Sequence, residues 1–298
     1  MIHSLVVLPI IAIALSICSS GIPTRAQITG MVMIRPTDPR SYDTRPEGLT
    51  VEVLSESGEL LGQATTGKVG QYLLSLTGIE TGDELRVRTK TAIDGLELTA
   101  SKRVRVTDIS FVGVPDLVFV DPSDGELSRN GSSWIDPDGN VEVVDPSGQL
   151  GKVWARALDP ERDRAFFPGN YRDADGNKII SNGFLFVAAK DANGQQVTSL
   201  DEPVTVYFSI PPIHRYYLRD INPGNGLYEV PMYIYDEEQD TWVRRGTGLV
   251  VDASYEPVPE SEEDLVTTDP DYGDLFVKFE ANHFSTWNVD HPLPPCIQ

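Results

Sequence analysis

Apolar and polar side chains alternate with period two along most of this chain, the pattern of strands with one buried and one wetted face. "GLTVEVLSESGELLGQATT" predicts two strands, Leu49 to Leu54 and Glu59 to Thr66, turned back by Ser-Glu-Ser-Gly, where Gly58 is free to take positive φ. "GQYLLSL", "DELRVRTK", "ELTASKRVRV" and "VPDLVFV" follow between turn residues, which makes about seven short strands at sandwich-like spacing. A second strand-rich unit is predicted from Trp134 to about Pro292 by "GQLGKVWARAL", "GFLFVAAK", "EPVTVYFSIP", "VPMYIYDEE", "TWVRRGTGLVV" and "GDLFVKFE". Its aromatics Trp154, Phe184, Phe186, Tyr207, Phe208, Tyr233, Tyr235 and Trp242 fill a core on this reading; a sugar-stacking platform needs several of them exposed on one face. Long helical periodicity is missing, so the fold class is all-β.

The flanking and connecting segments complete the organisation. "SLVVLPIIAIALSIC", Ser4 to Cys18, has the length and apolarity of a signal peptide, and Thr24-Arg25-Ala26 places small residues three and one before a cut after Ala26. The alternative is a lipoprotein anchored at Cys18, since Leu15-Ser16-Ile17-Cys18 approximates a lipobox, with Ile17 out of pattern. Residues 1–26 are therefore the expected leader, 27–120 the first domain, 121–133 ("DPSDGELSRNGSS") a linker, 134–292 the second domain and 293–298 a flexible tail. With Cys18 removed or lipidated, only Cys296 is left, and the mature chain can form no internal disulfide.

Composition narrows the function classes. The 298 residues carry 45 acidic against 24 basic side chains, a net charge of -21. Binding to phosphate backbones needs Lys and Arg to displace counterions, so nucleic acid is excluded as a partner, and an anionic membrane surface is disfavoured on the same ground. The mature chain has no predicted transmembrane span. Catalytic signatures are absent: there is no G-x-S-x-G elbow, H-E-x-x-H, C-x-x-C, P-loop or complete dinucleotide fingerprint. Glu237-Glu238 and "ESEED" at Glu260 to Asp264 are expected to be solvated loops, and His214 and His291 loop residues. The Asp-Gly stretches "DPDGN" and "DADGN" offer oxygen ligands for calcium from Asp136, Asp138, Asn140, Asp173, Asp175 and Asn177, and "DANG" at Asp191 to Gly194 is similar. The EF-hand spacing of Gly and the bidentate Glu is not met, and the same residues suit hairpin turns, so turns are the expectation and calcium the alternative.

Two family resemblances add to this. "GMVMI", "GLTVEVL", "TTGKVGQYLLSL" and "DELRV" in order resemble carboxypeptidase regulatory-like domains of the transthyretin-like kind over residues 27 to 120, which implies a noncatalytic spacer or binding platform on exported proteins. "FFPGN", "GFLFVAAKDANGQQV", "PVTVYFSIP", "VPMYIYDEEQDTWV" and "HFSTWNVD" are similar to extracellular proteins related to cartilage intermediate layer protein, and resemble the β-sandwich domains of ankyrins and netrin receptors. Some relatives of that sandwich, in nucleoporins and death-domain adaptors, cleave themselves within a His-Phe-Ser triplet. Carried over, Ser285 is the nucleophile, His283 its base and Phe284–Ser285 the bond cut.

The expectation is thus two β-sandwich domains, immunoglobulin-like or transthyretin-like, in tandem after a signal peptide. Its function is that of a secreted or cell-surface non-enzymatic module for an extracellular protein or polysaccharide, with no cofactor unless calcium. Self-processing at Phe284–Ser285 and an unrecognised secreted hydrolase are the alternatives.

Overall fold

A computed structural model describes residues 25–36, 43–222, 224–269 and 271–292; the leader through residue 24, Cys18 and the 293–298 tail with Cys296 lie outside the described residues. The protein is all-β. No helix among the described residues is long and apolar enough to cross a membrane.

Among the described residues eight strands precede residue 121: β1 (Arg25–Arg35), β2 (Thr50–Ser55), β3 (Leu60–Thr65), β4 (Gln71–Thr77), β5 (Glu84–Ile93), β6 (Leu96–Arg105), β7 (Val112–Gly113) and β8 (Leu117–Val120). They form two four-stranded sheets. In one, β1 pairs antiparallel with β4 and, on its other edge, parallel with β7 and β8. The other runs β3-β2-β5-β6. Alternation along the strands sends Ile28, Val32, Val51, Val53, Leu85 and Val87 into one core between the sheets. Arg25 and Ala26 already belong to β1, with Ala26 buried opposite Leu76, so a cut after Ala26 removes the first two residues of that strand.

The second half contains β9 (Ser128–Asn130), β10 (Ser133–Ile135), β11 (Val141–Val144), β12 (Leu150–Leu158), β13 (Ile179–Asp191), β14 (Gln196–Val197), β15 (Ser199–Ser209), β16 (Glu229–Asp236), β17 (Thr241–Asp252), β18 (Leu275–His283) and β19 (Thr286–Pro292). They join in one eleven-stranded sheet, β12-β13-β19-β16-β17-β18-β15-β11-β10-β9, with β14 added beside β13. The sequence reading anticipates separate sheets here. Instead one sheet curls round a single core to which both of its ends contribute, Val153 from β12 and Val141 and Trp134 from β11 and β10. Within 121–133, the expected linker, Leu127 is buried in that core and Ser128–Asn130 is the outermost strand of the sheet. "ESEED" is likewise no open loop: Glu260–Glu262 is a 3₁₀ turn running into the short helix α1 (Glu263–Thr268), whose Val266 is buried.

The two halves share buried surface. Trp154 and Ala188, on the outer face of the large sheet, belong to the first core. Met33, Val118 and Val120 of the first half pack with Phe167, Phe184, Tyr233, Tyr235 and Trp242 of the second. Six of the eight aromatics expected in the core are buried, while Phe186 and Tyr207 are half-buried.

Candidate functional site

The hairpin joining β5 and β6 is the element that opens a cleft between the halves. Asp94 and Gly95 both take positive φ, 52° and 70°, as a two-residue turn of the Asp-Gly type requires. The tip is held against the second half by Lys190 Nζ donating to Asp94 O at 2.6 Å, and by the Gln196 side chain, which accepts from Glu97 N at 2.7 Å and donates to Glu97 O at 3.2 Å.

Between this hairpin, the start of β15, the end of β16 and the β18–β19 junction lies a cleft of about 1290 Å³. Its walls carry Glu97, Asp201, Asp236, Glu237, Glu238 and Glu280 against Lys90 and Arg245. Small-molecule pockets run roughly 300–1,000 Å³. The cleft is larger than that, and excess carboxylate makes it a region of negative potential. Its aromatic walls are closed: Tyr235, Phe284 and Trp287 are 4%, 7% and 3% exposed.

His283, Phe284 and Ser285 all line this cleft. They do not lie within one strand, as the pattern predicts, but at the crossing from β18, which ends at His283, to β19, which begins at Thr286. Phe284 is buried, and its N–H donates to Thr198 O at 3.3 Å; Trp287 Nε1 donates to His283 O at 3.2 Å. The Ser285 hydroxyl donates to Tyr235 O at 3.1 Å rather than to the imidazole. Burial, countered in part by Glu237, holds the His283 imidazole below its usual range. Among the described residues the positive-φ ones other than glycine are Asp94, Asp240 and Tyr255, so the Phe284–Ser285 bond is not set in left-handed backbone. Nucleophile and base are thus close in sequence without the hydrogen bond that would activate the hydroxyl. Ser285→Ala is expected to leave the banding unchanged: denaturing electrophoresis and intact mass show one uncleaved species for both proteins, and two fragments in the parent alone would establish cutting.

The Asp-Gly stretches fold as carboxylate-braced turns. Asp136 accepts from Asp138 N at 3.1 Å and Asn140 N at 3.3 Å, and Asp173 from Asp175 N at 3.1 Å, Asn177 N at 2.8 Å and Asn177 Nδ2 at 3.1 Å. Gly139 and Gly176 supply φ of 72° and 81°. Asp191 braces its turn in the same way, accepting from Asn193 N and Gln195 N, both at 2.8 Å. Among the described residues no group of three or more His, Cys, Asp or Glu could hold a metal ion. The melting temperature is expected to be the same in chelator and in millimolar calcium; a calcium-dependent rise in differential scanning fluorimetry would instead make these turns ligand loops.

His214 is buried in the 3₁₀ turn Pro212–Tyr217, its Nε2 3.0 Å from Asp159 Oδ1. The acidic cleft as a site was missed in the sequence because its walls come from five separated segments; the Asp-Gly turn of the β5–β6 hairpin was the one local signal for it.

The chain matches no protein-family model, and a search of curated proteins finds no match.

Proposed function

We propose that this protein is a secreted or surface-attached, non-enzymatic binding module whose interdomain cleft holds an extended basic segment of an extracellular protein partner. The observation that carries this reading is the cleft itself: six carboxylates against two fixed cations, in a space larger than small-molecule pockets usually are. A protein segment is favoured over a polysaccharide in this cleft because its aromatic rings are buried and leave no stacking face. The same walls lack an activated nucleophile, which supports holding over turnover.

Fluorescence anisotropy with a labelled lysine-rich peptide, beside a glutamate-rich peptide of equal length, tests the reading. The lysine-rich peptide is expected to bind with an affinity that falls steeply with salt, and Asp201→Lys/Glu237→Lys, at two exposed positions, to weaken it at least tenfold. Equal binding of the two peptides, or indifference to the double charge reversal, would refute it.

A further inference from the structure

A second surface, on the outer face of the large sheet and further along β15 and β18 than the cleft wall at Glu280, has the makings of a glycan site. Its first peculiarity is a backbone one. The stretch Asp252 to Glu256 repeats the carboxylate-braced turn, with Asp252 accepting from Ser254 N at 2.8 Å and Glu256 N at 3.0 Å. The position that Gly139, Gly176 and Gly194 occupy in the sister turns, at φ of 72°, 81° and 80°, is held here by Tyr255 at φ 60°. A tyrosine resists that conformation where glycine does not. Strain of this kind persists where the side chain has a use.

The use is visible in what the ring touches. Tyr255 lies over Tyr207 with ring centres 4.3 Å apart and meets Phe276 edge-on at 5.5 Å. Tyr207 and Phe276 stand on the outward face of paired strands β15 and β18, where Lys278 reaches over the Tyr207 ring at 5.7 Å. Tyr255 is 36% exposed, so its ring, backed by Tyr207 and braced at the edge by Phe276, presents a supported apolar surface to solvent.

The platform runs into a pocket of about 350 Å³ at the end of the same strands, shared through Phe276. Asp138, Asn140, Ser209 and Asp274 line it with hydrogen-bonding side chains, and Arg215 adds a guanidinium that is only 3% exposed. Arg215 Nη1 donates to Tyr272 O and Gly273 O, while its Nε has no hydrogen-bond partner among the described residues. Flat apolar rings beside a shallow pocket of carboxylate, carboxamide and hydroxyl groups match the two faces of a pyranose: axial C–H against the rings, equatorial hydroxyls towards the polar wall.

We propose that Tyr255, Tyr207 and Phe276, with the adjoining Asp138–Asn140 pocket, bind a neutral oligosaccharide. Charge bears on the class: Asp138, Asp159, Asp274 and Glu142 stand round the site against Arg162, Arg215 and Lys278, a near balance that gives uronates and sulfated glycans no net attraction on a chain of net charge -21. This site does not depend on the cleft reading, and a protein using both would join a basic protein segment to a glycan.

The decisive variant is Tyr255→Gly. Glycine suits the φ of 60°, so relief of backbone strain offsets the lost ring contacts and the variant is expected to fold with a melting temperature close to the parent's. Isothermal titration uses cellohexaose, laminarihexaose, mannohexaose and chitohexaose as neutral probes, with hexagalacturonate as the acidic one. Saturable binding of at least one neutral probe is expected, weakened tenfold or more by Tyr255→Gly and several-fold by Asp138→Ala, and unaffected by Asp201→Lys/Glu237→Lys in the cleft. No binding of any neutral probe, full affinity in Tyr255→Gly, or tighter binding of hexagalacturonate would each overturn the proposal.

Discussion

Asp240→Asn is expected to lower the unfolding free energy by about 3 kcal/mol, because it leaves the buried Arg86 guanidinium and the half-buried Arg103 one without their counter-charge. Arg86 on β5 and Arg103 on β6 stand directly opposite one another, an arrangement that repels. Asp240, 1% exposed in the turn between β16 and β17, resolves it: its Oδ2 is 3.5 Å from Arg86 Nε and 3.1 Å from Arg103 Nε. The two arginines also clamp the turn's backbone, Arg86 Nη2 donating to Glu238 O at 2.9 Å and Arg103 to Gln239 O at 2.8 Å and Asp240 O at 2.9 Å. The Tyr235 hydroxyl donates to Asp240 Oδ1 and shares a hydrogen bond with Ser101. This network ties the first half to the second.

Asparagine keeps the shape and tolerates the φ of 53° at position 240, so the loss is one of charge. Urea unfolding measures it. Removing the repulsion as well, with Arg86→Met/Arg103→Met/Asp240→Asn, is expected to recover much of the loss. A shift within about 0.5 kcal/mol for the single variant would place the site among ordinary surface positions and discard the clamp.

Asp290→Asn is expected to stabilise the protein at neutral and alkaline pH and to flatten its pH dependence. Asp290 lies in β19 near Tyr171 and Asp173; it is fully buried, and among the described residues its carboxyl oxygens have no well-formed hydrogen bond, the Asn288 amide being the nearest donor. Burial raises its pKa well above the usual carboxylate range; the nearby Asn288 amide offsets part of this and the Asp173 carboxylate adds to it. Tyr171 and Tyr233 face it as well, each held up to about 12 by burial, with the Asp290 charge contributing. Ser181 is occupied, its hydroxyl donating to Asn288 Oδ1 at 2.6 Å.

A carboxyl whose folded pKa exceeds its unfolded one keeps its proton over the interval between the two. Its contribution is therefore fully present below the unfolded value, about 3.9, and is lost as pH rises through the folded value. The parent should lose stability relative to Asp290→Asn as the pH is raised from about 4, with the variant ahead by about 2 kcal/mol at the alkaline end. Denaturant midpoints across that range decide it, and parallel curves for the two proteins would show that Asp290 does not titrate in the fold.

Local chemistry carried much of the architecture. Period-two alternation placed β2, β3 and β6 within a residue or two of their observed ends and stopped β5 three residues short at Lys90, and Asp-Gly or Asn-Gly steps marked turns at 139, 176 and 194. Alternation says which residues share a face, and it does not say what covers that face. "LRVRTK" and "SKRVR" look like a solvated side of a hairpin, yet Arg86 is buried against Asp240, more than a hundred positions along the chain. "WNVD" has the form of a strand with a wet outer face, but Asn288 and Asp290 are fully buried under residues brought from elsewhere. The same limit hid the platform, since "DASYE" differs from its sister turns only in the residue set at positive φ, and Tyr207 and Phe276 meet Tyr255 through strand pairing.

What the sequence determined by itself was the strand content, the turn positions, the acidic balance and the absence of familiar catalytic spacings, because each depends on neighbouring residues or on sums over the chain. The tertiary structure alone decided that the second half closes as one curled sheet, that His283 and Ser285 sit at a strand crossing on an acidic cleft, and which charges are buried together. Those properties depend on contacts between distant segments, whose burial and pairing no local periodicity encodes.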